Sequence, residues 1–191
     1  MELIDIRDEE GRPTGRIKDR EEIHRDGDLH ATSHVWIVDN QKDSCRILLQ
    51  KRSMDKDAYP GCYDISSAGH IPAGEDYLSS ALREMKEELG VEAMAGDLTL
   101  IGQVRYHFIR EFHGKIFNNY EISQVFIYQK PVEIANLTLQ EEEVEEVRWM
   151  DLDECMERVR AGDDRFCVMT EELEMIRDYW KSIDYSEKDG E

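Results

Sequence analysis

A chain of 191 residues with 24 Lys and Arg against 44 Asp and Glu carries a formal net charge of −20. This balance argues against a surface for duplex nucleic acid, because such surfaces need clustered Lys and Arg. It is compatible with a phosphorylated small molecule, since a metal ion can bridge an acidic site to an anionic ligand. The length fits one domain, and 40% hydrophobic with 36% charged residues indicates a soluble globular protein.

We expect a cytoplasmic protein that does not enter a membrane. No apolar run approaches the roughly 18 residues of a membrane span, and the acidic stretch 1–12 contains no apolar core of a secretory signal. The cysteines form no C-x-x-C pair, which favours free thiols in a reducing compartment. They are Cys45, Cys62, Cys155 and Cys167.

Alternating apolar and polar residues predict strands in the first part of the chain. These strands cover 2–7, 31–39, 46–51 and 63–68. Residues 40–43 join the second and third of them as a predicted hairpin. The segment 21–30 is polar and carries two histidines, and no element is predicted there.

The pattern becomes helical from Glu75 to Leu89. Apolar residues at spacings of four, three and four predict one buried stripe, formed by Leu78, Leu82, Met85 and Leu89. Gly90 stands where a C-cap glycine would end the helix.

Two long stretches rich in Ile, Val, Phe and Tyr predict a large hairpin, with strands at 98–112 and 116–130 around a turn at His113-Gly114. The remaining predicted elements are a strand at 144–150 and helices at 151–160 and 168–182. The polar residues from Tyr185 on are expected to fray. Interleaved strands and helices indicate an α/β (α+β) class, with a mixed sheet covered by helices.

One face of the predicted helix carries three carboxylates, those of Glu84, Glu87 and Glu88. Like charges at positions i and i+4 repel by a few tenths of a kcal/mol, so a cation is expected to offset the cluster. Carboxylates without cysteine ligands favour Mg²⁺ or Mn²⁺ over zinc. An ordinary solvated face is the alternative, but a loop bracketed by Gly69 and Gly74 precedes the helix, and Arg83 could orient a carboxylate.

The stretch from Gly69 to Val91 resembles the Nudix box of Nudix hydrolases, and every defined position of that motif is filled. Gly69 is followed after five residues by Glu75, and seven more residues lead to Arg83-Glu84. The rest of the motif is Met85, Glu87-Glu88, Gly90 and Val91. The resemblance implies a Nudix fold, a mixed β-sheet sandwiched between α-helices. We expect one domain over 1–184, followed by a flexible tail over 185–191. It also implies metal-dependent cleavage of a diphosphate linkage in a nucleotide-type or other small-molecule substrate.

The same resemblance implies roles for individual residues. Glu84, Glu87 and Glu88 would bind Mg²⁺ or Mn²⁺, with the carbonyl of Gly69 as a further candidate ligand. Arg83 would hold a glutamate by a salt bridge. Glu87 is a candidate general base, although in some Nudix enzymes the base lies on a loop outside the box. Homodimers are frequent in the family, so a second copy of the chain is a candidate partner.

Outside the box, the chain resembles a group close to type I isopentenyl-diphosphate isomerase, itself a Nudix-fold enzyme. The resemblance is carried by residues 24–30, 48–53, 60–61 and 63–70. The isomerase has a metal site of three histidines and two glutamates, and the corresponding residues here are His24, His30, His70 and Glu121, with Asn119 in place of the second glutamate. Ordinary hydrogen-bonded residues at loops and strand edges are the alternative for His24 and His30.

Ala68 stands where the isomerase needs a cysteine immediately before its Gly-His pair. An alanine cannot protonate an alkene. Isomerase activity is therefore an alternative that Ala68 argues against. A non-catalytic ligand-binding module of the same fold is a third alternative. His34 lies in an apolar strand and is expected to be structural.

Two further groups are candidates for contacts with the substrate or the metals. Residues 141–146 hold five acids around one valine; most such runs are solvated faces, but Glu142 or Glu146 could reach the metals. Lys51 and Arg52 are candidate phosphate contacts, with an ordinary surface position as the alternative.

Overall fold

A mixed seven-stranded sheet and a separate two-stranded sheet carry the fold in the computed structural model, which describes residues 2–41 and 44–188. The strands are β1 (Leu3–Arg7), β2 (Pro13–Asp19), β3 (His30–Gln41), β4 (Ser44–Arg52), β5 (Tyr63–Asp64), β6 (Ser67–His70), β7 (Leu98–Phe112), β8 (Lys115–Tyr128) and β9 (Val144–Asp151). The helices are α1 (Arg20–Asp26), α2 (Tyr77–Leu89), α3 (Leu152–Arg160) and α4 (Thr170–Lys188).

Strand β3 is the centre of the large sheet. It pairs in parallel with β8, so that His30 lies opposite Glu121. It also pairs antiparallel with β6, which places Ser33 opposite Gly69 and Thr32 opposite His70, and its last residues pair antiparallel with β4. Residues that are far apart in the sequence therefore meet at the beginning of β3.

Successive apolar side chains of β3 point to opposite faces of the sheet and are buried on both, as expected for a central strand. Val35 and Ile37 join a buried cluster with Met85 of α2. Trp36 and Val38 join a second buried cluster, on the opposite face, with residues of α3 and α4. The predicted class, a mixed sheet sandwiched between helices, is confirmed.

Helix α2 is held by the capping residues that its sequence suggests. The side chain of Asp76 accepts a hydrogen bond from the N–H of Ser79, and Gly90 takes the left-handed C-cap conformation with φ of 71°. The predicted apolar stripe is partly wrong. Ala81 packs into the core with Met85 and Leu89, whereas Leu82 stays partly exposed, because the contacting face is rotated toward Ala81.

Strand β2 and helix α1 are two elements that the sequence patterns did not predict. Asp19 caps α1 by accepting from the N–H of Glu21, and Gly27 ends it with φ of 71°. With seven residues, the helix is too short to display a period, and its buried residues are Ile23 and His24. Tertiary contacts rather than local pattern therefore fix this element.

Two other segments differ from their predictions. The predicted strand at 63–68 is split, because β5 pairs with β4 whereas β6 pairs with β3. Helix α4 extends to Lys188, so the predicted tail from Tyr185 begins inside a helix, and residues 189–191 lie outside the described chain. The predicted hairpin at 40–43 includes residues 42 and 43, which also lie outside it.

Among the described residues, no helix is both long enough and apolar enough to cross a membrane.

Candidate active site

A cavity of about 390 Å³ lies where β6, α2, the β7–β8 hairpin and the start of α4 meet. Its lining includes the carboxylates of α2, three histidines and several aromatic rings. Most of the residues singled out in the sequence face this space, although they come from separate elements.

Gly69 and Glu84 are in close contact in the cavity wall. A Cβ atom added at Gly69 would lie 2.1 Å from Oε1 of Glu84, which is far inside van der Waals contact. The side chain of Glu84 therefore crosses directly over the backbone of β6. Glycine is required here for close approach rather than for an unusual backbone angle.

Arg83 holds two of the α2 carboxylates. Its Nη1 lies 2.9 Å from Oε1 of Glu84 and 3.1 Å from Oε2 of Glu87. Its Nη2 also donates to the carbonyl oxygen of His70 at 3.3 Å, which ties α2 to β6. Glu87 is the most solvent-accessible of the three glutamates, with 53% of its side chain exposed.

Glu84 and Glu88 are acidic groups in a site that disfavours their charge. Burial raises the pKa of Glu84 to about 7, although Arg83 opposes the rise. Burial, reinforced by the charge of Glu84, raises the pKa of Glu88 to about 8. Glu88 is 4% exposed, and its Oε2 accepts a hydrogen bond from the N–H of Ala68 at 3.3 Å. Two such carboxyls side by side form a site that a bound cation would stabilise.

His24, His30 and His70 converge from α1, β3 and β6. One ring nitrogen of each lies within 4.8 Å of the others. The Nε2 atoms of His24 and His30 are buried and have no hydrogen-bond partner among the described residues, while Nδ1 of His30 contacts the carbonyl oxygen of Asp28 at 3.0 Å.

Burial keeps these three imidazoles neutral. It lowers the pKa of His24 to about 3 and depresses the pKa values of His30 and His70. Glu121, which pairs with His30 across the sheet, lines the same space. Neutral imidazoles with free Nε2 lone pairs and a nearby carboxylate are a donor set suited to a divalent metal.

His34, for which the sequence predicts a structural role, is buried in β3 and also lines the cavity. Its Nδ1 donates to Oε1 of Glu172 at 2.9 Å, and Trp36 Nε1 donates to Oε2 of the same carboxylate at 2.8 Å. Tyr106 contributes a third donor, at 3.3 Å. Burial disfavours the charged imidazole, but Glu172 outweighs it and raises the pKa of His34 to about 9. Sequence reasoning missed Glu172, because an acid in the first turn of a helix is common.

The two candidate phosphate contacts have different surroundings. Arg52 lines the cavity and pairs with Asp64 at 2.7 Å. Lys51 does not line it and pairs instead with Glu145 at 2.8 Å. The alternation of side chains along β4 sends these neighbours to opposite faces. The structure adds Lys56, which the sequence did not single out.

The acidic run 141–146 reaches the cavity at a different residue from those predicted. Glu143 lines it and pairs with Lys56. Glu142 is exposed and does not line it, and Glu146 accepts a hydrogen bond from the hydroxyl of Tyr63 at 2.6 Å. The turn before β9 thus places the side chain of Glu143 in the cavity wall. The predicted candidates for reaching the metals, Glu142 and Glu146, are therefore replaced by Glu143.

Ala68 lies in the cavity wall, directly opposite His34 in the sheet register. One thiol, that of Cys167, lines the cavity, but it belongs to the segment before α4 rather than to β6. At residue 68, where the resemblance to the isomerase calls for a cysteine, the cavity wall holds only the methyl group of an alanine.

A family model described as NUDIX domain matches residues 28–168 of this chain. An uncharacterised Nudix hydrolase of Clostridium acetobutylicum is 40% identical over 154 residues, covering 80% of this chain and 71% of that protein. Nudix hydrolase 3 of Arabidopsis thaliana is 42% identical over 158 residues, covering 80% of this chain, which spans 20% of the length of that protein.

Two other similarities concern the isomerase and the fold. An isopentenyl-diphosphate Delta-isomerase of Cereibacter sphaeroides is 26% identical over 145 residues, covering 76% of each chain. A crystal structure of a Deinococcus radiodurans protein matches with a TM-score of 0.66 at 18% identity, covering 91% of this chain and 98% of that one, which shows a shared fold.

Proposed function

Because the chain belongs to the NUDIX domain family, we propose that it is an Mg²⁺- or Mn²⁺-dependent hydrolase that cleaves the diphosphate linkage of a nucleotide-type or other small-molecule substrate. Two adjacent carboxyls, the half-buried one of Glu84 and the buried one of Glu88, support the metal dependence most directly. They lie in a cavity large enough for a small molecule, beside a glycine whose missing side chain leaves room for Glu84.

The charged residues of the Nudix box and Gly69 have distinct roles in this proposal. Glu84 and Glu88 bind the cation, with Glu87 and the carbonyl oxygen of Gly69 as further ligands. When bound, the cation neutralises charge on the diphosphate oxygens and makes a water molecule more acidic. Arg83 fixes the orientation of Glu84 and Glu87 through its two ion pairs.

Glu87 is the general base that we propose. Its Oε2 is paired with Arg83, and its exposed side chain leaves Oε1 available to accept the proton of the attacking water. Glu143 is the alternative base, because it lines the same cavity from outside the box.

Two basic side chains in the cavity wall are suited to bind the diphosphate. Arg52 and Lys56 each line the cavity, and each is already paired with an acid, Asp64 and Glu143 respectively. These acids hold the two cations in place before the substrate arrives, so less side-chain entropy is lost on binding.

We also propose a second metal site at His24, His30 and His70, with Glu121 as its carboxylate ligand. The convergence of three neutral imidazoles, two of them with unpartnered Nε2 atoms, supports it. Replacing His30 by Asn should lower the number of divalent ions bound per chain by one, as measured by elemental analysis of the folded protein. An unchanged stoichiometry in a folded variant would refute the site.

The carboxylates of the box are tested by Glu84→Gln and Glu88→Gln. Each should lower Mg²⁺-dependent hydrolysis about 100-fold or more, because a neutral amide is a poor ligand for a hard cation. The substrate panel should include nucleoside triphosphates, nucleotide sugars, dinucleotides, coenzyme A and prenyl diphosphates, and phosphate or nucleotide release is measured.

Glu92→Gln is the matched control for these variants. Glu92 follows the same helix, is 78% exposed in its side chain, and among the described residues forms its ion pair with Lys86. It should retain full activity. Full activity of both box variants would refute the assignment, and tight binding of a ligand without turnover would favour a non-catalytic binding module.

Isomerisation of isopentenyl diphosphate is the alternative reaction, and the histidine cluster together with the Cereibacter sphaeroides relative is what favours it. Ala68 opposes it, since a methyl group carries no proton to transfer. We expect no formation of dimethylallyl diphosphate from isopentenyl diphosphate. Robust turnover in that assay would overturn this interpretation of Ala68.

A further inference from the structure

Cys62 and Cys167 are more than a hundred residues apart in the sequence but lie together beside the cavity. A parallel bridge between Tyr63 and Phe166 brings their segments side by side. The N–H of Tyr63 donates to the carbonyl oxygen of Arg165 at 2.7 Å, and the N–H of Cys167 donates to that of Tyr63 at 2.9 Å. The backbone thus holds the two cysteines together without a covalent link.

Each sulfur also reaches a carbonyl oxygen of the opposite segment: Sγ of Cys62 lies 3.5 Å from that of Asp164, and Sγ of Cys167 lies 3.4 Å from that of Tyr63. The two thiols are therefore close enough for each to affect the pKa of the other.

The pair is chemically unequal. The neighbouring thiol of Cys167 lowers the pKa of Cys62 to about 7, with a further contribution from the charge of Arg52. The neighbouring Cys62, together with burial, raises the pKa of Cys167. Cys62 is therefore the thiol with thiolate character, and Cys167 is its protonated neighbour.

The other two cysteines lie in the apolar core, away from this pair. Cys45 and Cys155 are 3% and 0% exposed and belong to the apolar core. Burial raises the pKa of each of them to about 12. They are expected to be inert, so they provide an internal comparison.

We infer that Cys62 and Cys167 are a dithiol that a hydroperoxide oxidises to a disulfide beside the cavity. The Cys62 thiolate attacks the O–O bond of the hydroperoxide, forming a sulfenic acid and releasing hydroxide or alkoxide, which takes up a proton. Cys167 then attacks the sulfenic sulfur, forming the S–S bond and releasing water. Two thiols lose two electrons in total, and the hydroperoxide is reduced to water and an alcohol, or to two waters.

The disulfide would join two segments that line the active-site cavity. Cys62 follows the loop that carries Lys56 and Tyr59, and Cys167 immediately precedes Val168 and Met169, all of which line the cavity. This site is independent of the metal ligands of α2, so it can be tested without any substrate.

The test uses the reduced full-length chain, treated with hydrogen peroxide at neutral pH and then alkylated. We expect a loss of two hydrogens in the intact mass and a Cys62–Cys167 linked peptide after proteolysis, both reversed by dithiothreitol. Cys45 and Cys155 should be recovered as unmodified thiols after unfolding. Unlinked cysteines, a link to one of the core cysteines, or only cross-links between chains would each overturn the proposal.

Single variants assign the roles of the two thiols. In Cys167→Ser, Cys62 should accumulate as a sulfenic acid that dimedone traps, because the resolving thiol is gone. In Cys62→Ser, Cys167 should react much more slowly than Cys62 does. Equal oxidation of Cys167 in that variant would overturn the assignment, and the linked peptide in the unmutated chain tests the proposal even where a variant does not fold.

Discussion

Gly69 shows how a single absent atom shapes the candidate site. The side chain of Glu84 occupies the space that a Cβ would take, since the two would be 2.1 Å apart. Arg83 then fixes Glu84 from the other side at 2.9 Å. Any side chain at residue 69 must therefore displace a proposed metal ligand rather than merely strain the backbone.

Gly69→Ala should lower Mg²⁺-dependent hydrolysis about 100-fold, because displacement of a ligand by about 1 Å is enough for a loss of that size. The Mg²⁺ affinity, measured by calorimetry, should fall with it. Gly96→Ala is the control, since a Cβ there meets nothing within 4 Å. If both variants keep normal activity and affinity, then Glu84 is not positioned by this contact.

At the level of secondary-structure elements, a contact between α4 and β3 fixes one side of the candidate site. Glu172 of α4 is fully buried and accepts hydrogen bonds from His34 and Trp36 of β3. A buried carboxylate with several donors is costly to leave unpaired, so the first turn of α4 is fixed over the cavity. Met169, immediately before α4, lines the same space.

This ion pair predicts a pH dependence of stability. The folded-state pKa of His34 is raised to about 9 from 6.5, so its stabilising contribution is complete below pH 6.5 and is lost as the pH rises through 9. The free energy of unfolding by urea should therefore decrease over that interval, by on the order of 1–3 kcal/mol.

Glu172→Gln should remove the part of this decrease that His34 contributes, because a neutral amide no longer favours the imidazolium. Glu174→Gln is the matched control, since Glu174 lies on the same helix and makes only a surface ion pair with Arg160 at 2.7 Å. An equally steep pH dependence in Glu172→Gln and in the unmutated protein would contradict this account of His34.

At the scale of the whole molecule, the cavity draws residues from both helical layers and from the sheet between them. Glu84 and Glu88 come from α2 on one face, whereas Glu172 comes from α4 on the other. Complete folding therefore brings the two box carboxyls out of water and close together, and binding of a cation should be coupled to the stability of the entire fold.

The stability of the whole molecule should depend on Mg²⁺ and pH together. Because the folded-state pKa values of Glu84 and Glu88 are raised to about 7 and about 8 from 4.5, their contribution to metal-free stability is complete below pH 4.5 and is lost as the pH rises through those values. Saturating Mg²⁺ should restore it, so the rise in thermal midpoint should be larger at about pH 8.5 than at about pH 6.

Glu88→Gln should show a smaller Mg²⁺-induced rise at the higher pH, and Glu92→Gln should behave as the unmutated protein does. A Mg²⁺-induced rise in the thermal midpoint that is the same at both pH values, or that is unchanged in Glu88→Gln, would contradict the coupling between these carboxyls and the cation.

The sequence by itself determined what is encoded locally. The spacing of apolar residues predicted α2, Gly90 marked its end, and the box from Gly69 to Val91 indicated the family and the carboxylate cluster. These features depend on residues within a few helical turns of one another, so a single stretch of sequence contains all the information they need.

Only the tertiary structure decided which residues meet at the candidate site. The pairing of β3 with β6 and β8 brings His30, His70 and Glu121 together, and α1, which has no recognisable period, adds His24. The turn before β9 directs Glu143 inward rather than Glu142, and a distant helix supplies Glu172. Strand pairing and helix docking join residues far apart in the chain, and no local pattern in the sequence carries that information.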